Sequence, residues 1–198
     1  MVGRGAAAQR ENAMKTVFAA TLAALFACVS TPSSADVLED FKDHVSNDWD
    51  QSKRAFADGD WTLYLTGFTW HLPYAYDDEL RHAENSEAWG GGVGRYVYDG
   101  NGNYHGLYAM VFRDSHYRPE YQAGYNWQHY WGGGDLKVGL GYTVFVFARA
   151  GEFDYIPLPG ILPLVSVRYS KLEVMGTFVP GVGSGNGNIA FFFGRIDF

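Results

Sequence analysis

His71, Asp114 and Ser115 are the residue types needed to activate an oxygen for acyl transfer. The imidazole acts as base, the carboxylate holds its tautomer, and the hydroxyl completes the set. His71 follows Trp70 and opens a long charged segment, 72–87. Alone, a histidine in such a place is more often structural, so its meaning depends on whether it shares a location with the Asp-Ser pair 43 positions later. Neighbouring strand residues point to opposite faces. Asp114 and Ser115 therefore cooperate only where their strand has already turned into loop.

The elements that must position these residues are strands. From Trp61 onward, strand-length pieces are separated by turn clusters, at 61–71, 88–98, 104–114, 120–131, 136–149, 161–169, 171–179 and 189–198. The short connectors are 99–103, 132–135 and 169–171, and all three fall on one side when strands are counted upward from a periplasmic N-terminus. Tight periplasmic turns and longer outer loops are the asymmetry of an outer-membrane barrel. His71 then ends the first upward strand and Asp114-Ser115 the third, which puts both at one outer mouth.

Alternation within the strands favours a bilayer over a soluble core. Leu136, Val138, Leu140, Tyr142, Val144 and Val146 share a face, opposed by Lys137, Gly139, Gly141 and Thr143. Tyr121, Ala123, Tyr125 and Trp127 oppose Gln122, Gly124, Asn126 and Gln128. The apolar face is read as lipid-facing and the small or polar face as luminal, with Trp61, Tyr64, Trp127, Tyr130 and Trp131 available for interfacial girdles. Phe192 and Ile196 share the face of the terminal Phe198. Eight strands leave a lumen filled by side chains or holding one narrow ligand, which excludes a porin. Phe145, Phe147, Phe191 and Phe193 fall on the luminal phase and would make part of the lumen greasy.

Residues 36–52 carry Val37, Leu38, Phe41, Val45 and Trp49 at helical spacing against an acidic opposite side, an amphipathic helix suited to a membrane surface or a barrel end. The expected fold is all-β, an eight-stranded antiparallel transmembrane β-barrel over 61–198 with an N-terminal amphipathic α-helix. Ahead of it, Lys15 and the apolar run 16–29 have the layout of an export signal, too short to span a membrane. Met14 makes a good start for that signal, leaving 1–13 as an upstream extension. Residues 1–35 are expected to be removed by cleavage after Ala35, although Leu25–Cys28 also has the form of a lipoprotein processing site. Their removal takes away Arg4, Arg10, Lys15 and Glu11, which leaves 12 bases against 21 acids and a charge of -9. Such a chain is a poor partner for nucleic acid.

Several features receive the plain interpretation. Gly90, Gly91, Gly92 and Gly94 lack the Lys and Ser or Thr of a phosphate loop and are read as relief of crowding in a small barrel. No histidine pair has metal-ligand spacing, and no feature calls for a metal, nucleotide or other cofactor. Arg149 is either a solvated rim charge or a partner for an anionic lipid head group. Pro163 and Pro180 lie near the outer ends of neighbouring strands; they either weaken a seam that admits a lipid tail sideways, or merely begin and end strands.

Thr69–His71 with Ala75–Asp77, Trp89–Gly92, His105–Met110, Asp114-Ser115, Tyr155–Pro159, Leu162–Leu164 and Asn186–Asn188 occur in an order that resembles the PagP family, the lipid A palmitoyltransferases of Gram-negative outer membranes. The resemblance runs through nearly the whole mature chain. It implies catalytic roles for His71, Asp114 and Ser115, and transfer of a palmitoyl group from the sn-1 position of a glycerophospholipid to a hydroxyl of a lipid A acyl chain. It further implies an active site facing the cell surface, a phospholipid donor, a lipid A acceptor and the outer-membrane bilayer as surroundings, in a monomer or weak homodimer. Pro163 and Pro180 match one of two lateral gates, while Thr66 stands where the second gate has a proline. Arg149, together with His105 and Asp99 near a periplasmic turn, matches polar family positions that are read here as lipid-recognising. The glycine that floors the family's acyl pocket is replaced by Asn126, which implies a chain shorter than palmitate or one tilted past the amide. Two other classes compete: a non-catalytic small barrel acting as adhesin, resistance factor or anchor, and a soluble lipid carrier. The first leaves the shared rim of His71, Asp114 and Ser115 without a reason. The second does not account for the leader or the outward apolar face.

Overall fold

The two-residue alternation of the segments after Asp60 cannot sit on a helix, and in the computed structural model those segments form strands. The structure describes residues 34–71, 87–114, 116–150, 154–180 and 189–198. Helix α1 spans Ser34–Asp58; the strands are β1 (Asp60–His71), β2 (Gly90–Tyr98), β3 (Tyr104–Arg113), β4 (Pro119–Gly133), β5 (Leu136–Arg149), β6 (Leu158–Tyr169), β7 (Leu172–Val179) and β8 (Ile189–Asp197). Each strand pairs antiparallel with the next, and β1 pairs with β8, so the sheet closes into an eight-stranded barrel. Closure gives every strand a partner on both sides, the requirement that a bilayer imposes on a sheet. The Cys28 reading of the leader lies outside the described residues, and the expected cleavage position, Ala35, is the second residue of α1.

The alternation points as expected. On β5, Leu136, Val138, Leu140, Val144 and Val146 are exposed, whereas Gly139 and Thr143 are buried in the lumen. On β4, Asn126 and Gln128 are buried and Tyr121 is exposed. Two girdle assignments fail. Tyr64 is fully buried between Thr62 and Thr66 on the luminal phase of β1, and Tyr130 turns inward to bond Glu173. Aromatic identity does not decide the face; strand phase does. Trp61 and Trp131 do stand exposed.

The helix runs beyond the expected end at 52 because Lys53–Ala57 contains good helix formers and no breaker before Gly59. Arg95, from β2, then caps it: the guanidinium donates to the carbonyls of Phe56, at 2.5 Å, and of Gly59, at 2.8 Å, and lies over the Trp61 ring. These are carbonyls that a helix end leaves without intrahelical partners. Contacts divide the chain after Val45, and the unit Ser46–Phe198 holds the end of α1 and the whole barrel. The apolar stripe of α1 is exposed along its length, with Phe41 at 61%, Trp49 at 67% and Phe56 at 73%.

Three tight turns close one end of the barrel. Gly102 and Gly134 take positive φ in two of them, as L side chains rarely do. At the first, Asp99 Oδ1 accepts the N–H groups of Asn101 and Asn103, both at 2.9 Å, so one carboxylate builds the reversal.

Candidate active site and lumen

The rim opposite the tight turns is where β1 and β3 bring His71 and Asp114. The backbone of His71 is the last rung of β1, paired with Ile189. Asp114 lies one residue past β3 on the same rim. The side chain of His71, and Ser115 as a whole, lie outside the described residues. At Asp114 the strand has ended: its N–H donates to Arg118 O at 2.8 Å, and its Oδ1 accepts the N–H groups of His116 and Arg118, each at 2.8 Å. Asp114 is 6% exposed, and its carboxylate ties down the backbone of His116 and Arg118.

Two further groups stand at this mouth. Arg149 ends β5, and its register partner is Glu120 on β4, so both project on one face. Glu120 is half-buried and was not singled out by sequence; it reads as an ordinary surface acid in Arg118–Tyr121, and only the phase of β4 turns it inward.

Below the rim the lumen has two storeys. The upper one is apolar: Met110 and Phe112 of β3, Leu164 of β6, Met175 of β7 and Phe193 of β8 form one buried cluster, with Phe145 and Phe191 packed against it. Tyr64 and Tyr108 belong to the same cluster and carry hydrogen bonds across it: Tyr108 Oη to Thr143 Oγ1 at 2.8 Å, Gln122 Nε2 to Tyr108 Oη at 3.1 Å, and Asn126 Nδ2 to Tyr64 Oη at 3.2 Å. Asn126 is 1% exposed and faces the lumen, as its phase on β4 predicts. The lower storey is polar. Arg195, fully buried, pairs with Glu173, lies 3.1 Å from Asp197 Oδ1, and stacks 3.5 Å over the Tyr104 ring.

The ladders are incomplete in two places, both in the rim-side half. Strands β6 and β7 pair only from Tyr169–Leu172 to Leu164–Thr177, so Pro163 is the first residue above the last rung, and Pro180 follows β7. The structure thus places Pro163 inside a strand that starts at Leu158 rather than 161. Strands β1 and β2 pair only as far as Thr66–Gly90, where a bulge at Gly67 shifts the register with β8. Above each last rung a threonine hydroxyl substitutes for the ladder: Thr177 Oγ1 donates to Pro163 O at 2.7 Å, and Thr66 Oγ1 to Ala88 O at 2.6 Å. The β1–β2 seam thus has threonine at its last rung, where β2 begins at Gly90 and no further rung forms.

His105 and Asp99 sit at the opposite end. His105 is fully buried, although its phase on β3 points out of the barrel. Its Nδ1 lies 2.7 Å from Tyr125 Oη and 3.7 Å from Asp48 Oδ1 of α1, and its Nε2 lies 3.2 Å from Asp99 Oδ2. Tyr142 Oη donates to Asp48 as well. His105 and Tyr142 thus meet the end of the helix through Asp48.

Residues 51–195 match the family model described as antimicrobial peptide resistance and lipid A acylation protein PagP. The chain is 40% identical over 174 residues to a lipid A acyltransferase PagP of Bordetella parapertussis, covering 87% of this chain and 95% of that one. It is 46% identical to a protein of the same description from Laribacter hongkongensis, over 72% of this chain and 69% of the relative. A lipid A palmitoyltransferase PagP of Escherichia coli is 39% identical, over 80% and 82%. A closed eight-stranded barrel with one N-terminal helix, matched by the family model over nearly all of its strands, makes this chain a member of the PagP family.

Proposed function

We propose that this protein is an outer-membrane acyltransferase that moves a fatty acyl group from the sn-1 position of a glycerophospholipid to a hydroxyl of a lipid A acyl chain. One observation carries the reading: the rim bearing His71 and Asp114 opens onto an apolar storey lined by Met110, Phe112, Leu164 and Phe193. That is the arrangement an ester carbonyl with a buried hydrocarbon tail requires. His71 takes the proton of the attacking hydroxyl, Ser115's own or the acceptor's, and returns it to the glycerol oxygen as the ester bond breaks. Asp114 holds His71 in the required tautomer and holds the Ser115 loop. Arg149 meets the anionic head group at the mouth. The donor enters sideways through the seams at Pro163 and Thr66, where few backbone bonds must part. The exposed stripe of α1 lies in the periplasmic interface of the membrane, and the rim faces the cell surface. His105 and Asp99 serve as a latch beneath α1 and touch no lipid.

Chain length follows from the depth of the storey. Six residues of β4 separate Glu120 from Asn126, about 20 Å along the strand and, at the tilt of such barrels, ~15 Å along the axis. An extended chain advances ~1.2 Å per bond. A chain of about twelve carbons fits above Asn126, and palmitate does not fit unless it tilts past the amide.

A detergent assay with labelled phospholipid and lipid A tests the function. Wild type transfers label, whereas His71→Ala and Ser115→Ala do not; activity surviving both changes would remove the mechanism. Mass spectra of lipid A from cells expressing the protein test the length. Addition of a dodecanoyl-class chain is expected, with a shift to longer chains in Asn126→Gly, and clean palmitate addition by wild type would sink the short-chain reading.

A further inference from the structure

The base of the apolar storey is built of polar atoms that the protein does not satisfy. Asn126, Gln128 and Ser166 face the lumen at 1%, 0% and 7% exposure. Asn126 uses its Nδ2 on Tyr64, and Gln128 Nε2 reaches only the thioether of Met175, at 3.5 Å. Among the described residues, Asn126 Oδ1, Gln128 Oε1 and Ser166 Oγ are left with no protein partner. The three belong together. Asn126 and Gln128 are two apart on β4 and share a face, and Met175, which Gln128 touches, is the register partner of Ser166. Buried polar atoms are rarely left unpaired, and two on one face of β4 with a third linked to them through Met175 point to a bound group.

We infer that Asn126, Gln128 and Ser166 form a hydroxyl-binding subsite at the base of the chamber, which takes acyl chains carrying a hydroxyl at their far end. This rests on the reading of the upper storey as the acyl chamber. The chemistry selects the ligand. Exchanging the two ends of either amide would leave an NH2 in place of an oxygen, and a hydroxyl, which donates and accepts, suits both arrangements. A carboxylate would be repelled by the amide oxygens, and a methyl end leaves all three atoms unpaired. Water offers the same chemistry beneath a methyl-ended chain, so the two sources must be separated by experiment. The twelve-carbon depth brings the terminal atom of a dodecanoyl chain to Asn126, the rim-side edge of the subsite, from which a terminal hydroxyl points toward Gln128, while an octanoyl chain stops short of it.

Competition between dodecanoyl and ω-hydroxydodecanoyl phospholipids, with lipid A as acceptor, reads the subsite directly. Wild type is expected to transfer the hydroxylated chain about tenfold faster, the worth of one good hydrogen bond, and to show no preference between octanoyl and ω-hydroxyoctanoyl donors. Gln128→Met, which keeps length and removes polarity, and Ser166→Ala should each lower the dodecanoyl ratio. Calorimetric binding of dodecanediol against dodecanol to the detergent-folded barrel gives a readout that needs no chemistry. Equal transfer rates at dodecanoyl length, or a preference unchanged in Gln128→Met, would overturn the subsite. So would equal binding of diol and alcohol, which would leave water only. Tighter binding of the diol with no acyl transfer from any donor would keep the subsite and remove the acyltransferase reading.

Discussion

At the scale of single residues, Asp114 is given two jobs that one substitution can separate. Its Oδ1 accepts two backbone N–H groups and builds the loop that carries Ser115. Its negative charge is what would hold His71 in the tautomer needed for proton transfer. Asp114→Asn keeps an acceptor oxygen for the loop and removes the charge. It should fold like wild type yet lose activity on the order of ten-thousandfold, as the loss of such an orienting carboxylate does elsewhere. Asp114→Ala should in addition lower stability by about 1–2 kcal/mol, because two charge-assisted hydrogen bonds go with it. Single-turnover rates and urea midpoints in the same detergent distinguish the two effects. Full activity in the asparagine variant would reduce Asp114 to a builder of the loop.

At the scale of elements, the end of α1 is tied to the barrel through charges rather than apolar packing. Asp48 meets Tyr142 and His105, and Arg95 gathers the last carbonyls of the helix. Asp99 sits beyond His105 and titrates outside the strands. Burial works against its charged form, but hydrogen bonds from the Asn103 side chain and N–H, then from His105 and Asn101, outweigh this and hold its carboxyl below the usual carboxylate value. A folded value below the unfolded one, ~3.9, means that the stabilisation is fully present above that pH and is lost as pH falls through the lowered value. Urea midpoints of wild type should therefore fall on acidification below about pH 4. Those of Asp99→Asn should start lower at neutral pH and fall less steeply; parallel curves would remove Asp99 from the latch. Strand phase and the parity of short connectors made the barrel and its rim legible in the sequence, because a two-residue period survives in any strand that faces two media. The second seam was not legible. Thr66 replaces the expected proline, and the β1–β2 ladder ends there because β2 starts only at Gly90, a boundary that leaves no residue pattern in β1. The cover over His105 was hidden for a related reason, since strand phase alone sends that ring toward lipid.

At the scale of the whole molecule, the lumen divides the labour of the barrel between its two ends. The rim-side half has two broken ladders and an apolar interior, while the turn-side half has complete ladders and a buried ionic cluster. Arg195 sits at the centre of that cluster, tied to Glu173, Asp197 and the Tyr104 face. A closed ring of strands with gaps at one end needs its rigidity at the other, and this cluster crosses the lumen where every ladder is intact. Its charges are individually costly to bury, and their value depends on remaining complete. Glu173→Ala leaves Arg195 without its carboxylate partner on β7 and should lower stability by about 3–5 kcal/mol. Replacing both, as Glu173→Leu with Arg195→Met, should recover part of that loss, because no unpaired charge remains. The readout is heat-modifiable mobility on unboiled gels together with equilibrium urea unfolding in lipid vesicles. The expected order of midpoints is wild type above the double variant, and the double variant above Glu173→Ala. If the single variant matched wild type, the ionic cluster would be a passenger in the lumen, and the rigidity of the closed end would have to come from the ladders alone.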